Sequence, residues 1–246
     1  MRMYGLIGYP LSHSFSKKFF SDKFATEGLS DVTYDNFAIP SIAELPGLLK
    51  NPSIYGLNVT IPYKEQVIPF LDWQDEVVEK TGACNCIRIQ EGKLRGFNTD
   101  VAGFERALKR NLQPHHTSAL VLGTGGAARA ISYVLRKLSI NFLVVSRSNT
   151  GKHPGSLRYE ELTGEILASH LLIINTTPLG MYPDVDESPP IDYEKLTPGH
   201  YLFDAIYNPA KTRFLERGEK KGATIQNGLE MLIVQAEESW KIWTGL

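Results

Sequence analysis

Apolar and polar positions along the chain fall into two rhythms. Met3 to Gly8 is a short apolar run that predicts a buried strand, and Ser14 to Glu27 predicts a helix stopped at Gly28. Val32 to Ile39 alternates like a half-buried strand and ends at Pro40; Ile42 to Lys50 follows as a helix. Tyr55 to Thr60 predicts another strand, halted by Pro62, and Glu76 to Lys80 a further helix. Cys84 to Ile89 and Leu94 to Phe97 flank Gln90-Glu91-Gly92-Lys93, a hairpin turn. A β/α alternation closing on a hairpin predicts a mixed sheet rather than a wholly parallel one.

The later part is more regular. Ala119 to Leu122, Phe142 to Val145, Leu171 to Ile174 and Tyr201 to Asp204 are continuous apolar strands, the first followed by a Gly-rich turn and a helix from about Gly126 to Leu138. Unbroken apolar strands alternating with helices are the rhythm of a doubly wound parallel sheet. Asn111 to Thr117 reads as the seam between the two parts. The last segment, Leu229 to Trp243, is amphipathic and predicts one buried face through Leu229, Leu232, Ile233, Ala236 and Trp240.

Length and charge narrow the classes. With 246 residues the chain exceeds the ~100–200 of a common single domain, which fits one large α/β domain or two modest ones. Hydrophobic residues at 42% and charged residues at 22% exclude disorder, collagen and coiled coil. The 26 basic and 27 acidic residues leave a net charge of −1, so there is no field to gather nucleic acid. No apolar run reaches the ~18 residues that span a bilayer, and the first ten residues break too early for a secretory signal. The two cysteines, Cys84 and Cys86, stand two apart, too far along a strand for an unstrained bridge, and no histidine spacing completes a metal set beside them. Reduced thiols, a cytoplasmic setting and no metal are the expectations.

Gly123-Thr124-Gly125-Gly126-Ala127 follows a predicted strand and opens a predicted helix. The first glycine permits the tight turn, and the next two let backbone N–H groups approach a pyrophosphate at a helix N-terminus. The following strand ends in Ser146-Arg147-Ser148, with Lys152 close behind and no carboxylate to hold a ribose 2′-hydroxyl. An arginine and two hydroxyls suit a 2′-phosphate, hence NADP; the plainer reading is an exposed arginine at a strand end.

Four polar clusters stand at other strand ends: Ser12 to Ser16, Asn58 to Lys64, Gly82 to Asn85, and Asn98-Thr99-Asp100. Together their hydroxyls, amides, lysine and carboxylate suit a polyhydroxylated acid and a proton transfer. Singly each has a structural reading: Ser14 or Ser16 as a helix cap, Thr60 as a strand residue, Lys64 as a solvated cation at a helix start.

These motifs, with Gly8-Tyr9-Pro10, Asn175 to Met181, Asp204 to Pro209 and Asn227 to Gln235, stand in one order over residues 5 to 236. In that order they resemble the shikimate dehydrogenase family. The resemblance implies an α/β fold with a mixed-sheet substrate-binding domain plus a Rossmann-like NADP-binding domain. Residues 1–101, joined by the C-terminal helix 228–246, would form the first, and 102–227 the second. It implies NADPH-dependent reduction of 3-dehydroshikimate to shikimate, in aromatic amino-acid biosynthesis, with Lys64 and Asp100 as the acid-base pair. Ser14, Ser16, Thr60, Asn85, Asp100, Tyr207 and Gln235 would contact the substrate. Gly123, Thr124, Gly125, Gly126 and Ala127 would hold the pyrophosphate, and Ser146, Arg147 and Ser148 the 2′-phosphate. Thr176, Ala205, Gly228 and Met231 would line the nicotinamide side, and Glu76 matches a further cofactor position. Lys17, Phe20, Cys86 and the Ser146-Arg147-Ser148 triplet depart from the usual family pattern. A quinate/shikimate dehydrogenase preferring NAD and a non-catalytic ligand sensor on the same fold stay open, as does the choice between monomer and homodimer.

Overall fold

A computed structural model describes residues 1–11, 15–147 and 156–246. The chain divides into two compact units, Met1–Thr99 with Ala236–Leu246, and Asp100–Gln235.

The first unit runs β1 (Arg2–Gly8), α1 (Phe15–Thr26), β2 (Val32–Ala38), α2 (Leu45–Leu48), β3 (Ile54–Val59), β4 (Trp73–Gln74), α3 (Glu76–Thr81), β5 (Cys86–Gln90) and β6 (Lys93–Phe97). Its sheet has the order β2-β1-β3-β5-β6-β4. β1 pairs parallel with β2 and β3, whereas β5 pairs antiparallel with β3 and β6, so the sheet is mixed as the hairpin predicts. The period of two along β1 and β3 sorts two cores onto the two faces. Ile7, Leu57 and Val59 join Leu45, Val67, Val78 and Ile87 on one face. Tyr4, Leu6, Phe20 and Tyr34 join Trp240 and Trp243 on the other. Tyr4 stacks on Trp243 at 4.9 Å, and the Trp243 indole donates to the Ile87 carbonyl at 3.0 Å.

The second unit runs α4 (Asp100–Lys109), β7 (Ser118–Leu122), α5 (Gly126–Lys137), β8 (Asn141–Ser146), β9 (Leu157–Arg158), α6 (Gly164–Ser169), β10 (Leu172–Asn175), β11 (Tyr201–Asp204), α7 (Arg213–Glu219), β12 (Thr224–Gln226) and α8 (Leu229–Thr244), whose last turns belong to the first unit. Its sheet, β12-β11-β10-β7-β8-β9, is parallel throughout. The chain winds outward from β7 to β9, then returns to β10 on the other side of β7. The ends of β7 and β10 therefore flank a topological switch point, where open α/β sheets bind ligands.

The single buried face expected for the last helix is corrected. Leu229 and Ile233 are exposed. Buried positions in the first half are Met231, Val234 and Gln235; in the second half they are Ala236, Ser239, Trp240 and Trp243. At ~100° per residue these sets lie on different faces, because the helix serves two cores in turn. Among the described residues no helix is long and apolar enough to cross a membrane.

Candidate active site

In the first unit the functional residues follow the end of β3. The Thr60 amide still donates to the Ile7 carbonyl at 2.9 Å, after which Pro62 forces the chain to turn. The Tyr63 amide donates back to Thr60 at 2.9 Å, and its buried phenol donates to the Ile39 carbonyl at 2.6 Å, anchoring the turn from below. Lys64 follows, half-buried, its carbonyl accepting from the Cys84 amide at 2.8 Å. That bond joins the Lys64 turn to the segment carrying Asn85.

Asn85 has its amide orientation fixed by the Thr99 backbone N–H, an unambiguous donor, which reaches Oδ1 at 2.7 Å while Nδ2 donates to Thr99 Oγ1 at 3.0 Å. Behind it runs a chain of buried polar side chains. Tyr34 donates to Asn58 Oδ1 at 2.8 Å, Asn58 Nδ2 donates to Ser239 Oγ at 2.9 Å, and Ser239 Oγ lies 3.2 Å from Thr99 Oγ1. Ser16 hydrogen-bonds the Tyr34 hydroxyl, whose ionisation burial strongly suppresses. Six backbone segments thus meet through side chains in a buried core, where unmade bonds are costly. Sequence reasoning places Asn58 in a polar strand-end cluster and does not single out Tyr34 or Ser239. Their partners lie 24 and 181 residues apart, and only the strand-end position of Asn58 hints at a role.

Glu76 stands exposed in the first turn of α3 and pairs with Lys80, whose hydrogen bond draws the Glu76 carboxyl below its usual range. Cys84 and Cys86 are buried free thiols, and burial pushes Cys84 up to about 12, so neither is a ready thiolate. Ser14 and Ser148 lie outside the described residues.

In the second unit the Gly-rich turn leaves β7 through Gly123 at φ +112°, a left-handed conformation, and a Cβ there would lie 2.5 Å from Thr176 Oγ1. Thr124 is half-buried. Gly125 is the N-cap of α5 in extended conformation, without a side chain to cap the helix, and nothing lies within 4 Å of where its Cβ would be. Gly126 and Ala127 follow as its first helical residues. A 12-residue helix whose N-cap is a glycine, with open space where that residue's Cβ would stand, fits a pyrophosphate. At the end of β8, Ser146 is half-buried and Arg147 exposed.

Beside that turn, Thr176 is bound to β7 twice, its amide and hydroxyl both donating to the Leu122 carbonyl at 2.9 and 2.7 Å. Ala205 follows β11, and Gly228 lies so close to it that any Cβ would overlap the Ala205 carbonyl. Thr176, Ala205 and Gly228 thus collect at the strand ends of one unit. Met231 is buried on α8 one turn past Gly228. Gln235 is buried one turn further, its amide donating to Leu232 at 2.9 Å. Tyr207 is half-buried after β11, and Asp100 is buried at the start of α4.

A mixed sheet bearing a lysine-containing turn, with a parallel sheet bearing a nucleotide-type glycine turn, fits a dinucleotide-dependent dehydrogenase by class. A family model described as "Shikimate dehydrogenase substrate binding domain" matches residues 6–87. The NADP(+) shikimate dehydrogenase of Methanosphaera stadtmanae is 35% identical, over 98% of this chain and 90% of that protein. The shikimate dehydrogenase structure from Aquifex aeolicus superposes with a TM-score of 0.88 at 32% identity, over 100% of this chain and 93% of the other. That of the Thermus thermophilus enzyme in complex with NADP(H) and shikimate does so with 0.88 at 33%, over 100% and 94%. The chain belongs to the shikimate dehydrogenase family.

Proposed function

We propose that this chain catalyses the NADPH-dependent reduction of 3-dehydroshikimate to shikimate, in the cytoplasm, as a step of aromatic amino-acid biosynthesis. The observation that carries the proposal is the full-length match to NADP(+) shikimate dehydrogenases in a chain that keeps Lys64 on the turn after β3. Residues 1–101 with the helix 228–246 serve as the substrate domain and 102–227 as the cofactor domain.

When bound, NADPH supplies the hydride for the carbonyl carbon. The chain's own residues then have three tasks. Gly123, Thr124, Gly125, Gly126 and Ala127 present backbone donors to the pyrophosphate, and Ser146, Arg147 and Ser148 take the 2′-phosphate. Ser14, Ser16, Thr60, Asn85, Tyr207 and Gln235 hold the carboxylate and hydroxyls of the ring. Lys64 delivers a proton from Nζ to the carbonyl oxygen as it becomes a hydroxyl, and Asp100 orients Lys64 and shares the proton.

Initial rates at one pH with shikimate and with quinate, each against NADP and NAD, test the reading. Turnover confined to shikimate with NADP is expected. Turnover with quinate and NAD would move the chain to the broader oxidative branch, and shikimate binding without turnover would make it a sensor. Lys64→Ala is expected to lower kcat at least ~10²-fold while shikimate affinity stays within about tenfold. A raised KM at unchanged kcat would make Lys64 a binding residue instead.

A further inference from the structure

Two polar side chains in the second unit are fully buried at the very ends of neighbouring strands. Asn175 closes β10 and Asp204 closes β11, and they are register partners in the sheet, each at 0% exposure. Asn175 Nδ2 donates to Asp204 Oδ1 at 3.0 Å. Each also bends its own following loop. Asn175 Oδ1 accepts from the Thr177 amide at 3.0 Å and hydroxyl at 2.7 Å, and Asp204 Oδ1 accepts from the Ile206 amide at 3.0 Å. These are side-chain turns that fix the intervening residue. The intervening residues are Thr176 and Ala205. Thr212 completes the unit, donating to Asp204 Oδ2 at 2.6 Å while capping α7.

A carboxylate in such a place is costly. Its three donors, Asn175, Ile206 and Thr212, are all neutral, and burial pushes it up to about 6. Strand packing alone does not call for it, since an apolar pair would close the same two strand ends more cheaply. The pair does fix something else. Thr176 is tied to the Leu122 carbonyl just before the glycine turn, and Ala205 packs on Gly228, whose amide donates to the Ile206 carbonyl at 3.0 Å. One buried pair therefore sets the loops after β10 and β11, and through them the approach to β7 and to the start of α8.

We propose that Asn175 and Asp204 are positioning residues for the nicotinamide half of the cofactor: neither touches it, and together they hold Thr176 and Ala205 where that half must rest. This rests on the reading of the chain as an NADP-dependent dehydrogenase. It goes further by separating the machinery for the two halves of NADP, since among the described residues Asn175 and Asp204 hydrogen-bond neither the helix after the glycine turn nor the Arg147 strand end.

The test is calorimetric titration of the full chain with NADP⁺ and with adenosine 2′,5′-diphosphate, which carries the adenosine half alone. For Asp204→Ala the NADP⁺ Kd is expected to rise tenfold or more while the adenosine diphosphate Kd stays within twofold. Asp204→Asn, which keeps an acceptor for Asn175 and Ile206, should recover most of the affinity. Thr212→Val, near-isosteric and lacking only the donor to Oδ2, should give an intermediate loss and keeps the test alive if Asp204→Ala fails to fold. Equal weakening of both ligands, or of neither, overturns the proposal while wild-type binding upholds the dehydrogenase reading. Wild-type protein that binds neither ligand overturns both.

Discussion

The two units hold their functional residues by opposite means. In the first, side chains grip side chains: Tyr34, Asn58, Ser239, Thr99 and Asn85 form a buried run of hydrogen bonds under the Thr60–Lys64 turn. In the second, the backbone does most of the work: Gly123 and Gly228 let main chains approach where a Cβ would collide, and strand ends turn on their own amides. Under the proposed function the difference follows the ligand chemistry. A small polyhydroxylated ring needs directional amides and hydroxyls at fixed orientations, which only a pre-organised side-chain network supplies. A dinucleotide phosphate needs bare N–H groups at close range, which only glycine-rich backbone supplies.

The sharpest way to break the comparison is one substitution in each unit. Asn58→Leu keeps the branched shape but takes one hydrogen bond from each of the buried Tyr34 and Ser239 hydroxyls, at a cost of about 3 kcal/mol of stability. It should also raise the shikimate KM, because Ser16 hydrogen-bonds the Tyr34 hydroxyl and Asn85 contacts Thr99. NADP affinity should be unchanged within twofold. Gly228→Ala, a single methyl against the Ala205 carbonyl, should cost about 1–3 kcal/mol by overpacking, weaken NADP and leave shikimate binding alone. Chemical denaturation and calorimetric binding on both variants decide the matter. Cross-effects, with Asn58→Leu losing NADP or Gly228→Ala losing shikimate, would show that the two schemes are not separate.

Much of the architecture was legible from pattern alone, and the misses have physical causes. β7, β10 and β11 are buried on both faces, so each reads as an unbroken apolar run, and β8, mostly half-buried, still carries Phe142 to Val145 as one. The mixed sheet was legible from the hairpin at Glu91-Gly92. The helix Asp100–Lys109 is obscured in the sequence, though Val101, Phe104, Ala107 and Leu108 carry its period, because its first residue also closes the polar strand end Asn98-Thr99-Asp100. β12, with three residues, and β4 and β9, with two each, are too short for a period to show. Of the site, the turn after β3 and the glycine turn were legible because a local motif defines each. The link from Asn58 to Ser239 is not legible, since a bond across 181 residues leaves no local trace.

A finer division lies inside the second unit. Arg147 is exposed at the end of β8, and the proposed function gives its guanidinium a 2′-phosphate to hold by a charge-assisted, two-pronged bond. Arg147→Ala should weaken NADP by about 10²-fold, or ~2.7 kcal/mol, and NAD by less than threefold. Equal losses for the two cofactors would remove Arg147 from that role and leave NADP preference to other residues.

The smallest effect is a matter of pH, and it compares two buried titratable groups of the second unit. Asp204 is held up to about 6 by burial, from an ordinary 3.8. The folded chain therefore keeps a proton that the unfolded chain releases, and the resulting stability is full below pH ~4 and lost as pH rises through about 6. His116 works the other way. Its Nδ1 accepts the Gln113 amide at 2.9 Å, so the ring must be neutral on that side, and burial lowers its pKa from 6.5. The unfolded chain takes up a proton first, so stability is lost as pH falls below ~6.5. Over pH 4.5–7.5 the two contributions oppose each other and flatten the profile. Asp204→Asn removes one of them. Its melting temperature relative to wild type should rise by a few degrees between pH 4.5 and 7.5, on the order of 1–2 kcal/mol, leaving the histidine's acid loss uncovered. A difference between the two proteins that stays constant across that range would show that the buried carboxylate does not titrate there, and that it is held as firmly in charge as in place.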